Sequence, residues 1–231
     1  MCFNGDLRGR KVLITAGPTR EALDPVRYIS NHSSGKMGYN IASAFLDRGA
    51  EVILVSGPTD RHLESRRLRL LRVVSAAEML EACRPWFREV DIAVFAAAVA
   101  DYRPADVAPQ KIKKDTDEFT LRMIPNKDIA YEFGRIKTPG QYAVGFALET
   151  NDELAQATGK MNRKNLDMVV LNSLNDAGAG FGGDTNKITI LTKRGTKEHF
   201  PLKSKLAVAQ DILEAVVSEL VNNSQAAGHA G

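Results

Sequence analysis

Cysteine is scarce in this 231-residue chain: there are 2, Cys2 and Cys83, and neither stands in a C-x-x-C or other metal-ligand spacing. That excludes a cysteine metal site and predicts a reduced, cytoplasmic protein. Surplus charge is also lacking. Lysine and arginine total 31 against 28 acidic residues, a net +3 that is too small to drive broad binding to a phosphate backbone. Any anion site must therefore be local, and no nucleic-acid partner is expected. The densest basic run, Arg66, Arg67, Arg69 and Arg72, reads as a solvated strand edge or an oligomer rim before it reads as a nucleic-acid patch.

No stretch approaches 18 consecutive apolar residues, and the opening Met-Cys-Phe-Asn-Gly-Asp lacks the charged-then-apolar order of a secretory signal. Neither a membrane span nor export is expected. The 4 histidines supply no metal triad, and only His32 falls in a segment of chemical interest. A G-x-S-x-G elbow and a cysteine–histidine pairing are missing too, so chemistry here must rest on positioning and charge stabilisation.

What is present is an ordinary folded composition, 44% hydrophobic and 26% charged. Residues 11–17 form a short β-branched run ending in glycine, residues 37–48 carry helical spacing, and residues 51–56 form a second buried-looking strand. This reads as a βαβ unit with a right-handed crossover. The alternation continues through a strand near 68–74, a helix near 76–88 and the apolar strand 91–97. After it come a helix near 127–136, a strand 142–148, a helix near 152–164 and a strand 168–171. The fold class is α/β, a doubly wound and mostly parallel Rossmann-like sheet.

Two segments break the rhythm. Residues 102–126 hold Pro104, Pro109, Pro125 and a Lys-Ile-Lys-Lys cluster, and the alternating stretch 118–123 predicts a strand arm outside the main sheet, a flap or a dimer contact. Residues 187–192 and 197–202 predict a β-hairpin turning at Arg194-Gly195, followed by an amphipathic helix over about 203–222. The organisation is one domain over 11–222 with an inserted arm, preceded by a linker or tail at 1–10 and followed by a frayed tail at 223–231.

In such sheets ligands bind beyond the carboxyl ends of the strands, which directs attention to the loops after residues 17, 97, 148 and 172. The connection from Gly17 to Gly38 is about 20 residues long where roughly 2–6 is usual, so it is read as functional, with an ordered loop stitched by its own ion pairs as the alternative. Gly35 and Gly38 flank a helix start whose free N–H groups can receive an anion. Gly35-Lys36-Met37 is not a Walker A motif, and Gly178-Ala-Gly-Phe-Gly-Gly183 is followed by a strand pattern and so is no dinucleotide fingerprint. It reads as a flexible loop. Small residues at Ala96, Ala97 and Ala98 let a flat ring approach, and Asp101 just beyond can hold a magnesium ion bound to phosphates or can simply cap a turn. Lys111, Lys113 and Lys114, with Lys160 and Lys164 one helical turn apart, can face the same strand ends as polyphosphate ligands or remain solvated.

Several motifs in order then resemble one family: Ile14-Thr-Ala-Gly-Pro-Thr-Arg-Glu21, Asp24-Pro-Val-Arg-Tyr-Ile-Ser-Asn-His-Ser-Ser-Gly-Lys-Met-Gly38, Ala96-Ala-Ala-Val-Ala-Asp-Tyr-Arg103 and Lys111-Ile-Lys-Lys114. The likeness continues through Val144-Gly-Phe-Ala-Leu-Glu-Thr150, Arg163-Lys-Asn-Leu-Asp167 and Gly180-Phe-Gly-Gly-Asp-Thr-Asn186, covering roughly residues 8–220. The chain resembles the phosphopantothenoylcysteine synthetases, the phosphopantothenate–cysteine ligases of coenzyme A biosynthesis, in their bacterial CTP-dependent form.

The resemblance implies activation of the 4′-phosphopantothenate carboxylate by CTP, with magnesium, to an acyl-cytidylate and pyrophosphate. L-Cysteine then displaces CMP. By motif position it implies that Asn31 holds the acyl intermediate with Arg27 nearby, that Ala98 and Lys111 contact the pantothenate side, and that Lys111 also reaches the nucleotide. It places Phe95, Ala96, Ala97, Asp101, Lys127, Asp128, Ile129, Ala130, Phe146, Lys160 and Lys164 at the CTP site, with Asp101 as the metal residue. It further implies a homodimer, with residues 115–125 as the exchanged contact, and a flavin-dependent decarboxylase either encoded separately or cut from the same chain. One departure stands out: relatives usually read Asn-Pro-Asp-Ile where this chain has Asn126-Lys-Asp-Ile129. Two rivals are an NAD(P)-dependent reductase on the same fold, for which Ser56-Gly-Pro lacks the required acid, and a noncatalytic nucleotide-binding subunit.

Overall fold

The first strand, β1 (Lys11–Ala16), shows why the sheet must be covered on both faces. Val12, Ile14 and Ala16 enter one hydrophobic core and Leu13 enters the other, the period-two alternation of a strand with no solvent face. The computed structural model describes residues 6–114, 118–149, 151–173 and 183–228. Along them β1 is followed by β2 (Arg20–Ala22), β3 (Tyr28–Ser30), α1 (Lys36–Asp47), β4 (Glu51–Ser56), β5 (Leu68–Arg72), α2 (Ala76–Phe87) and β6 (Ile92–Phe95). Next come β7 (Tyr102–Pro104), β8 (Met123–Pro125), α3 (Ile129–Gly134), β9 (Tyr142–Glu149), α4 (Glu153–Arg163) and β10 (Met168–Ser173). The last elements are β11 (Thr185–Thr192), β12 (Lys197–Ser204) and α5 (Lys205–Gly228).

The main sheet has 8 strands in the order β12-β11-β10-β9-β6-β1-β4-β5. From β10 to β5 all neighbours are parallel, while β11 and β12 add an antiparallel hairpin at one edge. The chain builds outward from β1 through β4 to β5, then returns to the other side of β1 with β6. The strand order therefore reverses between β1 and β6, where a crevice opens at the carboxyl ends. An isolated parallel bridge between Pro18 and Ala98 carries that pairing past both strands.

α1 and α5 cover one face through Ile41, Phe45, Val208, Ile212 and Val216. α2, α3 and α4 cover the other through Met79, Leu80, Phe87, Phe133 and Ala157, with the Phe133 ring 4.5 Å from that of Phe87 and 6.1 Å from that of Phe95. Each such side chain contributes roughly 1.5–3 kcal/mol by leaving water. Gly38 lets the first turn of α1 close onto the end of β1, since a Cβ there would lie 2.5 Å from the Ala16 Cβ.

The structure departs from the sequence expectation in particular places. No strand covers 118–122: strand pairing begins at Met123, where Tyr102–Pro104 runs alongside, and the Arg122 carbonyl only accepts the Ala105 N–H at 2.9 Å just outside it. The long connection after β1 is not simple coil but contains the β2–β3 hairpin. Residues 6–10 pack on the body, with Leu7 buried in the first core and Asp6 paired to Arg48. The last helix runs on to Gly228, past the expected end near 222, with good helix formers only at Gln225, Ala226 and Ala227 of the added residues. The basic run ends on β5, the sheet edge, where the Arg69 guanidinium stacks over Trp86 at 4.6 Å and Arg67 donates to the Leu46 carbonyl at 2.9 Å. Residues 178–182 of the glycine-rich segment, 115–117 of the expected exchanged contact and 229–231 of the tail lie outside the described residues.

Candidate functional site

The loops after β1 and β6 are stitched together where the crevice opens. Ser30 Oγ donates to the Thr19 carbonyl at 2.7 Å, and Thr19 Oγ1 in turn accepts the Ala100 N–H at 3.0 Å. Asn31 Nδ2 donates to the Val99 carbonyl at 2.9 Å. From the other side Asn126 gives its backbone N–H to the Asp101 carbonyl at 2.8 Å and its Nδ2 to the Ala100 carbonyl at 2.9 Å, while Arg103 Nη1 donates to the Pro125 carbonyl at 3.1 Å. The segment 96–101 is thus fixed on both flanks, and beneath it lies a cavity of about 260 Å³.

That cavity gathers residues from distant parts of the chain: Asn31 from the loop after β3, Phe95, Ala97, Ala98 and Asp101 from the end of β6, and Lys127, Asp128, Ile129 and Ala130 from the start of α3. Phe146 of β9 and Lys160 and Lys164 from α4 and its end complete it. Asp128 has two duties. Its Oδ1 caps α3 by accepting the Tyr131 N–H at 3.1 Å, and its Oδ2 holds the Lys164 ammonium at 2.8 Å. Lys160 is paired with Glu149 at 2.5 Å. The Lys127 ammonium and the Asp101 carboxylate have no such partner among the described residues.

A second cavity of about 160 Å³ shares Ala97, Ala98 and Phe146 with the first. Ser33 to Gly38 at the start of α1, Ala96, Asn172, Asn186 and Lys205 complete it. Lys36 meets Asp184 at 2.5 Å and holds that carboxyl below its ordinary value. Burial, and then the neighbouring Lys36 charge, push the Lys205 ammonium down. His32 lies in neither cavity but in an open basin with Arg20, Arg61 and Arg72.

Arg27 and Lys111 line neither cavity. The Arg27 guanidinium is occupied by Asp24, at 2.6 Å from Nη2 and 2.9 Å from Nε, and by the Ile112 carbonyl at 2.9 Å. Lys111 is exposed, directly before Ile112, on the strap of residues 105–114 that follows β7. In the motif Arg163 to Asp167 the conspicuous acid is structural: Asp167 Oδ2 accepts the Ala143 N–H at 2.7 Å and pairs with Lys137 at 2.5 Å. The sequence does not single out Val99 and Ala100, whose contribution runs through backbone carbonyls, or Asn126, whose amide holds the Ala100 carbonyl. It also passed over Lys205, an ordinary helix lysine until the tertiary fold buries it.

The family described as the DNA/pantothenate metabolism flavoprotein C-terminal domain matches residues 7–220. The chain is 51% identical over 212 residues, 92% of its own length and 59% of the other's, to a protein of an unidentified prokaryotic organism named cysteine/cysteine sulfinic acid decarboxylase. It is 46% identical over 212 residues, 92% of its own length and 52% of the other's, to the coenzyme A biosynthesis bifunctional protein CoaBC of Haemophilus influenzae. The chain therefore spans little more than half the length of these curated relatives. Among solved structures, the C-terminal domain of a coenzyme A biosynthesis bifunctional protein CoaBC superposes with a TM-score of 0.80 at 40% identity, covering 95% of this chain and 99% of that one.

Proposed function

The chain belongs to the DNA/pantothenate metabolism flavoprotein C-terminal domain family, and from that membership we propose that it is a ligase joining 4′-phosphopantothenate to L-cysteine in the cytoplasmic synthesis of coenzyme A. The observation that carries this reading is the convergence of Asn31, Asp101, Lys127, Lys160 and Lys164 on one cavity at the strand-order reversal. Cations and an amide around one hollow suit a nucleotide and an activated carboxylate, a pairing of groups that lets the substrates attack one another.

In this reading the phosphopantothenate carboxylate attacks the α-phosphorus of CTP, pyrophosphate leaves, and the cysteine amine then attacks the acyl carbon and expels CMP. Lys127, Lys160 and Lys164 offset the nucleotide's charge. The backbone of Phe95 to Ala97 and the start of α3 face the base. Asn31, whose Nδ2 also donates to the Val99 carbonyl, holds the acyl intermediate through its side-chain amide. Lys111, on the strap after β7, serves the same anions.

Among the described residues no group of three or more His, Cys, Asp or Glu could cage a metal ion. The donor set instead fits a magnesium ion carried on phosphates, which keeps its waters and takes one or two carboxylates, and Asp101 is the residue that would hold it. When bound, the ion neutralises charge on phosphate oxygens. A homodimer and a flavin-dependent decarboxylase, either fused or separate, are the partners this reading assigns. Among the described residues no helix is long and apolar enough to cross a membrane.

The test is an assay with phosphopantothenate, L-cysteine, magnesium and either CTP or ATP. Pyrophosphate release that requires phosphopantothenate and prefers CTP supports the reading. No release above a protein-free control overturns it, and conversion of cysteine without nucleotide would instead favour the activity named for the decarboxylase relative.

A further inference from the structure

The most densely bonded carboxylate described outside the cavities is Asp24, in the turn between β2 and β3. It is buried at 3% exposure. Its Oδ1 accepts the backbone N–H groups of Val26 and Arg27, each at 2.8 Å. Its Oδ2 accepts Arg27 Nε and Nη2 and, at 3.1 Å, the backbone N–H of Ile112. Arg27 Nη2 returns to the Ile112 carbonyl at 2.9 Å, so Ile112 is gripped at both its donor and its acceptor. The same strap is tied once more upstream, where the Ala108 N–H donates to the Leu23 carbonyl at 2.9 Å.

A charged acceptor with this many donors is far stronger than the strap's own exposed backbone contacts. The strap carries Lys111 immediately beside the gripped residue. Its other end leaves β7 after Pro104, and β7 itself starts directly after Asp101, which lines the first cavity. The position of Lys111 relative to that cavity is therefore set by Asp24 rather than by anything Lys111 itself touches.

We propose that Asp24 is a positioning residue for the ligase reaction, anchoring the strap that carries Lys111, with Arg27 as the clamp between turn and strap rather than a substrate ligand. The proposal rests on the ligase reading for its consequence and on geometry alone for the anchor, so the two are tested separately. Fixing a cation in place before the anion arrives removes an ordering cost from the step in which pyrophosphate leaves.

Asp24→Asn keeps the shape and removes the charge. Ile112→Pro leaves the Asp24–Arg27 pair intact and removes the N–H that Asp24 receives, at the cost of the isoleucine side chain and a stiffer backbone at Lys111. In both variants limited trypsin digestion, read by mass spectrometry, cleaves after Lys113 at least ~fivefold faster than in the wild type while the melting temperature stays within a few degrees. Single-turnover pyrophosphate release falls about tenfold in each. In the double variant Asp24→Asn, Lys111→Gln the loss equals that of Lys111→Gln alone, because an unanchored strap and a missing ammonium remove the same interaction.

Unchanged cleavage in both variants overturns the anchor, and losses that multiply in the double variant overturn the positioning role, as does a Lys111→Gln protein that releases pyrophosphate at the wild-type rate. Failure of the wild type to release pyrophosphate counts against the ligase reading alone, and the cleavage rates still decide the anchor.

Discussion

Asn31 Nδ2 stands 2.9 Å from the carbonyl oxygen of Val99, so the amide predicted to face an acyl group also ties the β2–β3 hairpin to the segment after β6. Aspartate at this position turns a donor into a second acceptor and aims a charge at the Val99 carbonyl. Asn31→Asp is expected to slow overall ligation by ~100-fold, the loss falling mainly on cysteine transfer. Rapid-quench measurement of pyrophosphate and final product in the same time course checks this. Equal loss in both phases counts against a role at the acyl group.

The lysines of the cavity are not equivalent. Removing Lys164 leaves the Asp128 carboxylate without its cation at the proposed nucleotide site, whereas removing Lys127 leaves no stranded charge. Lys164→Gln is therefore expected to raise the CTP KM by ~tenfold or more, and Lys127→Gln by only ~two- to threefold, as for an exposed ion contact. Steady-state kinetics on the two variants decides the order.

Gly134 closes α3 against the end of α4: a Cβ there would lie 1.9 Å from the Lys164 carbonyl oxygen, and the Asn165 side chain already donates to the Gly134 carbonyl at 3.0 Å. Gly134→Ala is expected to cost ~1–3 kcal/mol by overpacking, seen as a melting temperature lower by roughly 2–10 °C. It should also weaken nucleotide binding, because the displaced backbone carries Lys164. A melt indistinguishable from wild type would contradict the close approach.

Acid should act on the strap anchor. Hydrogen bonds from the Arg27 side chain, then from the backbone N–H groups of Val26, Ile112 and Arg27, outweigh burial and hold the Asp24 carboxyl well below the usual carboxylate range. The unfolded chain takes up that proton first, so the contribution is complete above the ordinary aspartate value of about 4 and is lost as pH falls through the folded value. The drop in melting temperature from pH 5 to pH 3 is expected to be smaller in Asp24→Asn than in the wild type. Parallel drops would mean that other carboxylates govern the acid limit.

The sheet was legible because its inner strands are apolar on both faces and its helices are spaced by glycines and caps, features encoded residue by residue. β2, β3, β7 and β8 were not, because three-residue strands hold too few side chains for a period-two pattern to emerge. The cavity's lining was legible at Ala97 and Ala98 through small residues at a strand end, at Asp101 through the carboxylate just beyond them, and at Lys160 and Lys164 through their helical spacing. Nothing local distinguishes Asn126, whose function is to hold two backbone carbonyls in place, or Asp24, whose donors come from positions as far away as Ile112. Arg27 shows the reverse: its motif marks it out, yet its guanidinium is occupied within the fold.

Among the described residues the two hollows share Ala97, Ala98 and Phe146. All three are uncharged, so a compound that reaches from one hollow into the other meets lysines at either end and none where they adjoin. A branched side chain at either alanine is expected to hinder that reach.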